Sequence, residues 1–254
     1  MSSIARPVAR SVSRSVLAGQ GVDLGYLIRS MFANSEQGVA YDPNDLSTMW
    51  QDQAKLLPVT GEGQPVWHIL DKSGNNNHAF ATSSATRPIL RKNATTGAYY
   101  LVFDGSDDFL VTSSIDFTAT DEVSVLAGIK RGLGNAGNVI VELSASPTNN
   151  GVFLVNSDDV SGTGRIFARS KGTLEGNVEK AVANSNVVLS LRSKISTDTT
   201  LLKVNNTTHS SSQDQGTGNY GNYPLYIGRR AGTTLPFNGH IYSLIGVGRL
   251  TTES

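Results

Sequence analysis

The chain has 254 residues and no cysteine, and its 21 basic residues balance its 21 acidic residues. A chain of this length can bury the core of one large β domain or two small ones, but it can form neither a disulfide framework nor a thiolate metal site. The zero net charge argues against a nucleic-acid-binding protein, and the lack of an apolar run of membrane-spanning length argues against membrane insertion.

The first sixteen residues contain three copies of a four-residue motif. Each copy has a small residue first, then arginine, then proline or serine, and finally valine. Pro7 and the β-branched valines disfavour a helix, and in an extended chain alternate side chains share a face. One face would then carry Arg6, Val8, Arg10, Val12, Arg14 and Val16. Residues 1–35 hold four arginines and one aspartate, a net charge of +3 against −3 in the rest of the chain.

This segment is either a disordered tail or an arm that becomes ordered on a partner. We expect the second, in which residues 1–35 form a basic anchoring arm and connector and residues 36–254 form the folded domain. The arginines would meet acidic or carbonyl-rich grooves of the partner, and the valines would fill small pockets. Such an arm can also add to the edge of a neighbour's sheet through main-chain hydrogen bonds.

Two short helices are candidates in the next part of the chain. Residues 22–33 are compatible with either a short helix or an irregular connector. Residues 45–52 follow the turn-forming Asp42-Pro43-Asn44 and are predicted to form a helix, in which Asn44 or Asp45 accepts the free amides of the first turn.

From residue 99 onward the pattern is that of strands, many of which alternate apolar and polar residues between short turns. The ten predicted strands are 99–104, 108–112, 123–130, 138–144, 151–156, 164–169, 187–194, 199–204, 223–228 and 239–247. Asn205-Asn206 is predicted to form a tight hairpin turn, because asparagine tolerates positive φ. Ten strands without an intervening helix indicate an antiparallel β-sandwich or jelly roll.

Five blocks of sequence carry a resemblance to a known family. They are VAYDPNDLST (39–48) followed by QD (51–52), DKSGNNNHA (71–79), RP (87–88) with FDGSDDFL (103–110), LYIGRR (225–230) and PFNGHIY (236–242). In this order they are similar to the concanavalin A-like, laminin-G-like jelly-roll domains of phage and prophage proteins.

The resemblance implies a concanavalin A-like sandwich in a non-enzymatic bacteriophage virion protein, assembled in the host cytoplasm as a head decoration, tail or fibre component. Its partners would be capsid or tail subunits, and it would form a homo-oligomer in the particle. The alternative is an adhesin or receptor-binding module that contacts host surface glycans. Both remain open because lectins, glucanases and structural modules share this fold.

A glycan hydrolase is the less favoured class. Hydrolases of this fold carry Glu-x-Asp-x-x-Glu along one strand, which aims the carboxylates into a cleft, and none of the seven glutamates begins that pattern. Glu175 and Glu179 could share a strand face, but no aspartate lies between them and Gly176-Asn177 indicates a turn.

Other polar clusters favour structural roles, so we expect no cofactor. Asp104, Asp107 and Asp108 offer oxygen ligands that suit Ca²⁺, but aspartates beside glycine are also typical turn residues, and the turn is the favoured interpretation. Asp71 and residues 75–77 are expected to bond to local backbone. The glycine-rich segment 132–137 matches a dinucleotide-binding motif, but a strand rather than the required helix is predicted to follow it.

Aromatic residues near the C-terminus have two interpretations. Tyr220, Tyr223, Tyr226 and Trp67 could line a face on which sugar rings stack, or they could fill the sandwich core, which is the favoured interpretation. The Gly- and Asn-rich segment 213–222 remains a candidate recognition loop.

Overall fold

The computed structural model describes residues 23–132, 138–146, 148–160, 163–231 and 233–252. This part of the chain has one α-helix, α1 (Leu24–Met31), and two short 3-10 helices, Leu46–Thr48 and Ile195–Thr197. Strands β1 to β17 are, in chain order, Gly38–Tyr41, Met49–Trp50, His68–Ile69, Ala79–Phe80, Ile89–Lys92, Tyr99–Asp104, Leu110–Asp116, Glu122–Arg131, Asn138–Leu143, Val152–Val160, Thr163–Lys171, Glu175–Ala181, Asn186–Lys194, Thr199–Val204, Thr207–Ser211, Asn222–Ile227 and Asn238–Val247.

The strands form two antiparallel sheets. Sheet A has the order β15-β14-β13-β8-β17-β6-β5, and β1 also pairs with β17. Sheet B has the order β12-β11-β10-β9-β16-β7-β4-β3-β2. The expected antiparallel β-sandwich is therefore confirmed, and each of the ten predicted strands is present.

The core fills the space between the two sheets. On β13, Val187, Leu189 and Leu191 alternate with outward-facing residues and are buried, whereas the intervening Val188 is 45% exposed. This period of two is what a strand with one buried face requires. Phe153 of β10 enters the same core from sheet B.

Helix α1 packs on the outer face of sheet A. Asp23 caps it, because its side chain accepts a hydrogen bond from the amide of Gly25 at 3.1 Å. The helix buries Leu24, Ile28 and Met31 against residues of β1 and β17. The structure thus resolves the alternative left open for residues 22–33 in favour of a helix.

Two local predictions are wrong. The predicted helix 45–52 is a 3-10 turn followed by β2, because Met49 is needed in the core and Trp50 pairs with His68 across the ladder. The Asp45 side chain accepts no amide of the first turn, and its Oδ2 instead lies 2.8 Å from Nζ of Lys72. The predicted turn at Gly176-Asn177 lies within strand β12.

The hairpin prediction is confirmed, because Asn205 has a φ of 52° between β14 and β15.

The six arm residues from Arg6 to Val16 lie outside the described residues, so the anchoring arm stays a prediction. Among the described helices, none is long and apolar enough to cross a membrane.

Candidate functional site: a row of side chains across sheet B

One line of cross-strand partners crosses sheet B from edge to edge. We name it the transverse row, and its members in spatial order are Trp50, His68, Phe80, Val111, Tyr226, Glu142, Leu154, Arg169 and Asn177. Directly opposed residues of neighbouring strands point to the same face, so all nine side chains share one face of the sheet.

That face is the outer one. Leu225 and Ile227 flank Tyr226 along β16, and Leu143 follows Glu142 along β9; all three are in the core between the sheets. Because side chains alternate along a strand, Tyr226 and Glu142 must project away from the core. The short strands β2 to β4 extend this face beyond the longer strands and add three of its rings.

One half of the transverse row is aromatic. Trp50, His68, Phe80 and Tyr226 are all partly exposed, and the His68 and Phe80 ring centroids are 6.2 Å apart. Burial lowers the pKa of His68, with a further contribution from the charge of Lys55. His68 is therefore neutral near pH 7, whereas the charged Nζ of Lys55 lies over the Trp50 ring, 5.8 Å from its centroid.

The other half is polar and tightly packed. The Glu142 side chain is fully buried and pairs with Arg230, whose Nε lies 3.2 Å from Oε2. Nη1 of Arg169 lies 3.1 Å from Oε1 of Glu175 on the neighbouring strand β12. An ionic pair of this kind fixes the position of each side chain across the strands.

Several buried polar atoms on this face have no hydrogen-bond partner. They include Oε1 of Glu142, Nε and Nη2 of Arg169, and Oδ1 of Asn177. Buried polar groups in folded proteins are almost always paired with protein or water, because an unpaired group loses its hydration without compensation. These atoms have almost no accessible surface, so they lie beneath the face rather than on it.

This combination of groups suits carbohydrate chemistry. A sugar ring offers a C–H face that packs on an aromatic ring, and its hydroxyls can donate and accept hydrogen bonds at the same time. A flat row several rings long can contact an extended chain, whereas a deep pocket holds one small molecule.

The aromatic residues singled out in the sequence divide between the core and this face. Tyr220 is buried in the core, where its hydroxyl lies 2.7 Å from that of Ser170. Tyr223 and Trp67 pack against the core at its margin, and Tyr226 is on the outer face of sheet B. Trp50, His68 and Phe80 were not among the residues predicted from the sequence, because only the strand register brings them into line with Tyr226.

The segment 213–222 is not a free loop throughout. Gln215 and Tyr220 are both buried, and the side-chain oxygen of Gln213 accepts the backbone amide of Asn177 at 2.8 Å. The start of this segment therefore covers the edge of β12, which protects a strand edge from unwanted pairing.

The aspartate cluster at residues 104–108 shapes a turn. Oδ1 of Asp104 accepts the amides of Ser106 and Asp107, and Oδ2 of Asp108 accepts the amide of Asp104. The carboxylate oxygens of the three aspartates lie within 4.8 Å of one another. Burial, with the nearby charge of Asp104, raises the pKa of Asp108 to about 7.

Asp71 bonds to backbone, as predicted, but over a longer range than predicted. Its carboxylate accepts the amides of Ser73 and Asn77 nearby and that of Ala40 on β1, at 2.8 to 3.0 Å. The side-chain amide of Asn77 then donates to the carbonyl of Gly38. This block of the sequence therefore fastens β1 to the sandwich.

The remaining motifs agree with structural interpretations. The glycine-rich segment from residue 132 lies between β8 and β9, so a strand follows it and the helix required for dinucleotide binding is not there. Glu175 and Glu179 do share the outward face of β12, but each is paired with an arginine of β11, Arg169 or Arg165.

No protein-family model matches the sequence, and no curated protein matches it. Several solved structures share the fold at low sequence identity. A GH54 α-L-arabinofuranosidase has a TM-score of 0.64 at 11% identity, over 89% of this chain and 62% of the enzyme. Domain 4 of AbnA, a GH43 extracellular arabinanase from Geobacillus stearothermophilus, in complex with arabinotriose, has a TM-score of 0.53 at 13% identity, over 85% of this chain and 94% of that domain.

An arabinofuranosidase complexed with arabinofuranosyl-α-1,2-xylobiose has a TM-score of 0.57 at 12% identity, over 74% of this chain. The present chain spans about half the length of that protein, 48% of it. At such identities the likeness establishes the fold alone. These neighbours are carbohydrate-active or carbohydrate-binding β-sandwich proteins, which agrees with the lectin-like jelly roll expected from the sequence.

Proposed function

We propose that the protein is a non-catalytic carbohydrate-binding β-sandwich and that the transverse row is its binding face. The observation that carries the proposal is the alignment of four partly exposed rings on one outward face of sheet B. The fold neighbours support the ligand class, since they include the arabinanase domain solved with arabinotriose.

The carboxylates near the row support binding rather than catalysis. A glycosidase needs two free carboxyl groups on either side of the scissile bond, one of them able to give up a proton. Here Glu142 pairs with Arg230, Glu175 pairs with Arg169, and Asp158 and Glu179 share Arg165. Measurable cleavage of a bound polysaccharide by the purified protein would overturn this part of the proposal.

A glycan array probed with the purified protein tests the proposed function. The array contains plant arabinan and arabinoxylan as well as bacterial capsular and lipopolysaccharide glycans, so that it does not presuppose one source. We expect binding to a subset of these glycans. Binding to none of them would contradict the proposal.

We further propose that the domain is displayed on a bacteriophage particle as a decoration, tail or fibre component, held through the basic arm that precedes helix α1 within residues 1–35. The five family-like sequence blocks and the net positive charge of the arm support this setting. Capsid or tail subunits would be the partners of the arm, and host surface glycans would be the ligands of the row.

Deleting residues 2–18 tests the attachment. Because all the described strands come from residues 38–247, we expect the deleted protein to fold and to bind the same glycans as the intact chain. Its incorporation into particles should be lost. Normal incorporation of the deletion variant would contradict the anchoring role, whereas loss of folding would show that the arm belongs to the sandwich.

A further inference from the structure

A lysine lies over the ring at the aromatic end of the transverse row. Nζ of Lys55, on the loop that follows β2, is 5.8 Å from the centroid of the Trp50 ring. An ammonium group is attracted to this position because the face of an aromatic ring is electronegative. A sugar that stacked on the same face of Trp50 would therefore meet Lys55.

The loop that carries this lysine is held against the row. The carboxylate of Asp52 accepts the backbone amides of Leu56 and Leu57 at 2.8 to 3.2 Å. Nε2 of His68, a member of the row, lies 3.1 Å from the carbonyl oxygen of Gln53. These hydrogen bonds fix the backbone of the loop, so the lysine stays beside the aromatic rings even when its side chain moves.

The charge of Lys55 is available to a ligand. Within the part of the chain that the structure describes, Lys55 forms no ion pair, and the carboxylate of Asp52 is taken up by backbone amides. Burial lowers the pKa of both His68 and His78, and the positive charge of Lys55 lowers both further. The opposite effect of Asp52 on the pKa of His68 is smaller. The field of the ammonium group therefore reaches into the row.

A second cation lies at the base of the same loop. The guanidinium carbon of Arg87 is 5.9 Å from the centroid of the Trp67 ring, and its Nη1 donates to the carbonyl of Gln51 at 2.8 Å. Arg87 too is without an ion-pair partner among the described residues. The cations Lys55 and Arg87 outnumber the single carboxylate of Asp52, so this end of the row carries a net positive charge.

The position of Lys55 makes neutral and acidic sugars unequal. Any sugar that stacks on Trp50 must displace the ammonium group from the ring, which costs about 2- to 5-fold in affinity at an exposed site. An acidic sugar offers the displaced ammonium group a carboxylate or phosphate in return, and an exposed ion pair contributes up to about 5-fold. A neutral sugar offers no such compensation.

We propose that the aromatic end of the transverse row selects acidic glycans, and that Lys55 is the specificity-determining residue, which moves from the Trp50 ring to an anionic group of the sugar stacked there. This ligand class rests on the proposed carbohydrate-binding function and narrows it. Arg87 adds positive charge from a fixed position, where backbone carbonyls hold its guanidinium.

Pairs of glycans that differ only in charge test the inference. Uronic-acid-containing capsular polysaccharides are compared with the same chains after carboxyl reduction, and phosphate-bearing glycans are compared with their dephosphorylated forms. Titration calorimetry with the full-length protein gives the affinities. We expect the acidic form of at least one pair to bind about 5-fold more tightly than its neutral form, and the pair that responds identifies the anionic group.

Lys55→Gln distinguishes selection by charge from a structural role. The variant uncovers the Trp50 ring, so the neutral form should bind about 2- to 5-fold more tightly than it binds to the unaltered protein. The acidic form should gain nothing, because the ion pair is lost as well, and the preference should disappear. A purely structural role of Lys55 would weaken the binding of both forms.

Lys92→Gln is the matched control. Nζ of Lys92 lies over the Tyr99 ring at 5.2 Å on sheet A, away from the row, so this variant removes the same charge and the same type of contact elsewhere. It should keep the full preference for the acidic form. Equal loss of the preference in Lys55→Gln and Lys92→Gln would contradict the role of Lys55.

The outcomes separate this inference from the proposed function. If the protein binds glycans on the array but the acidic and neutral forms of every pair bind equally, or if it binds neutral glycans alone, the selection by charge is wrong and the proposed function stands. Binding to no glycan at all would contradict the proposed function and this inference together.

Discussion

Nε of Arg230 lies 3.2 Å from Oε2 of Glu142, and this carboxylate is fully buried in the middle of the outer face of sheet B. The other oxygen of Glu142 has no hydrogen-bond partner. A buried charge is costly unless it is paired, so the pairing with Arg230 offsets the cost of burying the Glu142 side chain at this position.

Replacing Arg230 with methionine should therefore destabilise the protein. Removing one partner of a buried ion pair costs about 3–5 kcal/mol, because the remaining charge is left without compensation. Urea unfolding measures the free energy. The double variant Arg230→Met, Glu142→Gln should recover part of the loss, and strictly additive effects of the two substitutions would contradict the coupling.

Asp71 is expected to be the main attachment of β1. Asp71→Ala removes an acceptor of the amides of Ala40, Ser73 and Asn77, and we expect a loss of about 3 kcal/mol of unfolding free energy. Ser73→Ala is the control, since it removes one hydroxyl that donates to the same carboxylate and accepts the amide of Asn75. An equal effect of the two substitutions would contradict the central role of Asp71.

Asp108 should make stability depend on pH. Its pKa is raised to about 7 by burial and by the charge of Asp104, so the folded state binds a proton more tightly than the unfolded state, whose pKa is about 3.9. The stabilisation by this proton is complete below pH 4 and is lost as the pH rises to about 7, with a slope of up to about 1.4 kcal/mol per pH unit.

Asp108→Asn should remove this slope between pH 4 and 7 and raise the melting temperature at pH 8. Thermal unfolding of both proteins across this range provides the comparison. An unchanged slope in the variant would show that Asp108 does not carry the proton.

The aspartate cluster should not require Ca²⁺. Asp104 and Asp108 already accept backbone amides within the turn, which accounts for their position without a metal. We expect millimolar Ca²⁺ or EDTA to leave the melting temperature at pH 7.5 unchanged. A rise with Ca²⁺ that Asp108→Asn abolishes would identify the cluster as a calcium site.

The long strands could be predicted from sequence because they have a clear period. Strands such as β6 and β14 have exactly the predicted bounds, since their inward residues alternate with outward ones. Five of the seven strands that were not predicted lack this signal. β2, β3 and β4 have two residues each, β15 has no apolar residue, and β12 buries Val178 as its one large apolar side chain.

The candidate site was harder to predict for a related reason. Tyr226 lies on a predicted strand. The other three rings of the row lie on strands of two residues each, and such short strands can be recognised only from their pairing with neighbouring strands. Trp50 lay inside the predicted helix 45–52. A row of side chains across a sheet is a property of strand order and register, and neither is encoded in the local pattern of one strand.

Glycan binding by single-ring variants of the two outer faces tests the account most directly. Trp50→Ala, Phe80→Ala and Tyr226→Ala each remove one ring of the transverse row, and Tyr100→Ala removes a ring on sheet A, where it stacks with His240. Titration calorimetry with a glycan bound on the array gives the affinities. We predict that each row variant binds about 5- to 30-fold more weakly, because a stacked ring contributes about 1–2 kcal/mol, and that Tyr100→Ala binds normally. Unchanged affinity of all three folded row variants would contradict the assignment of this face.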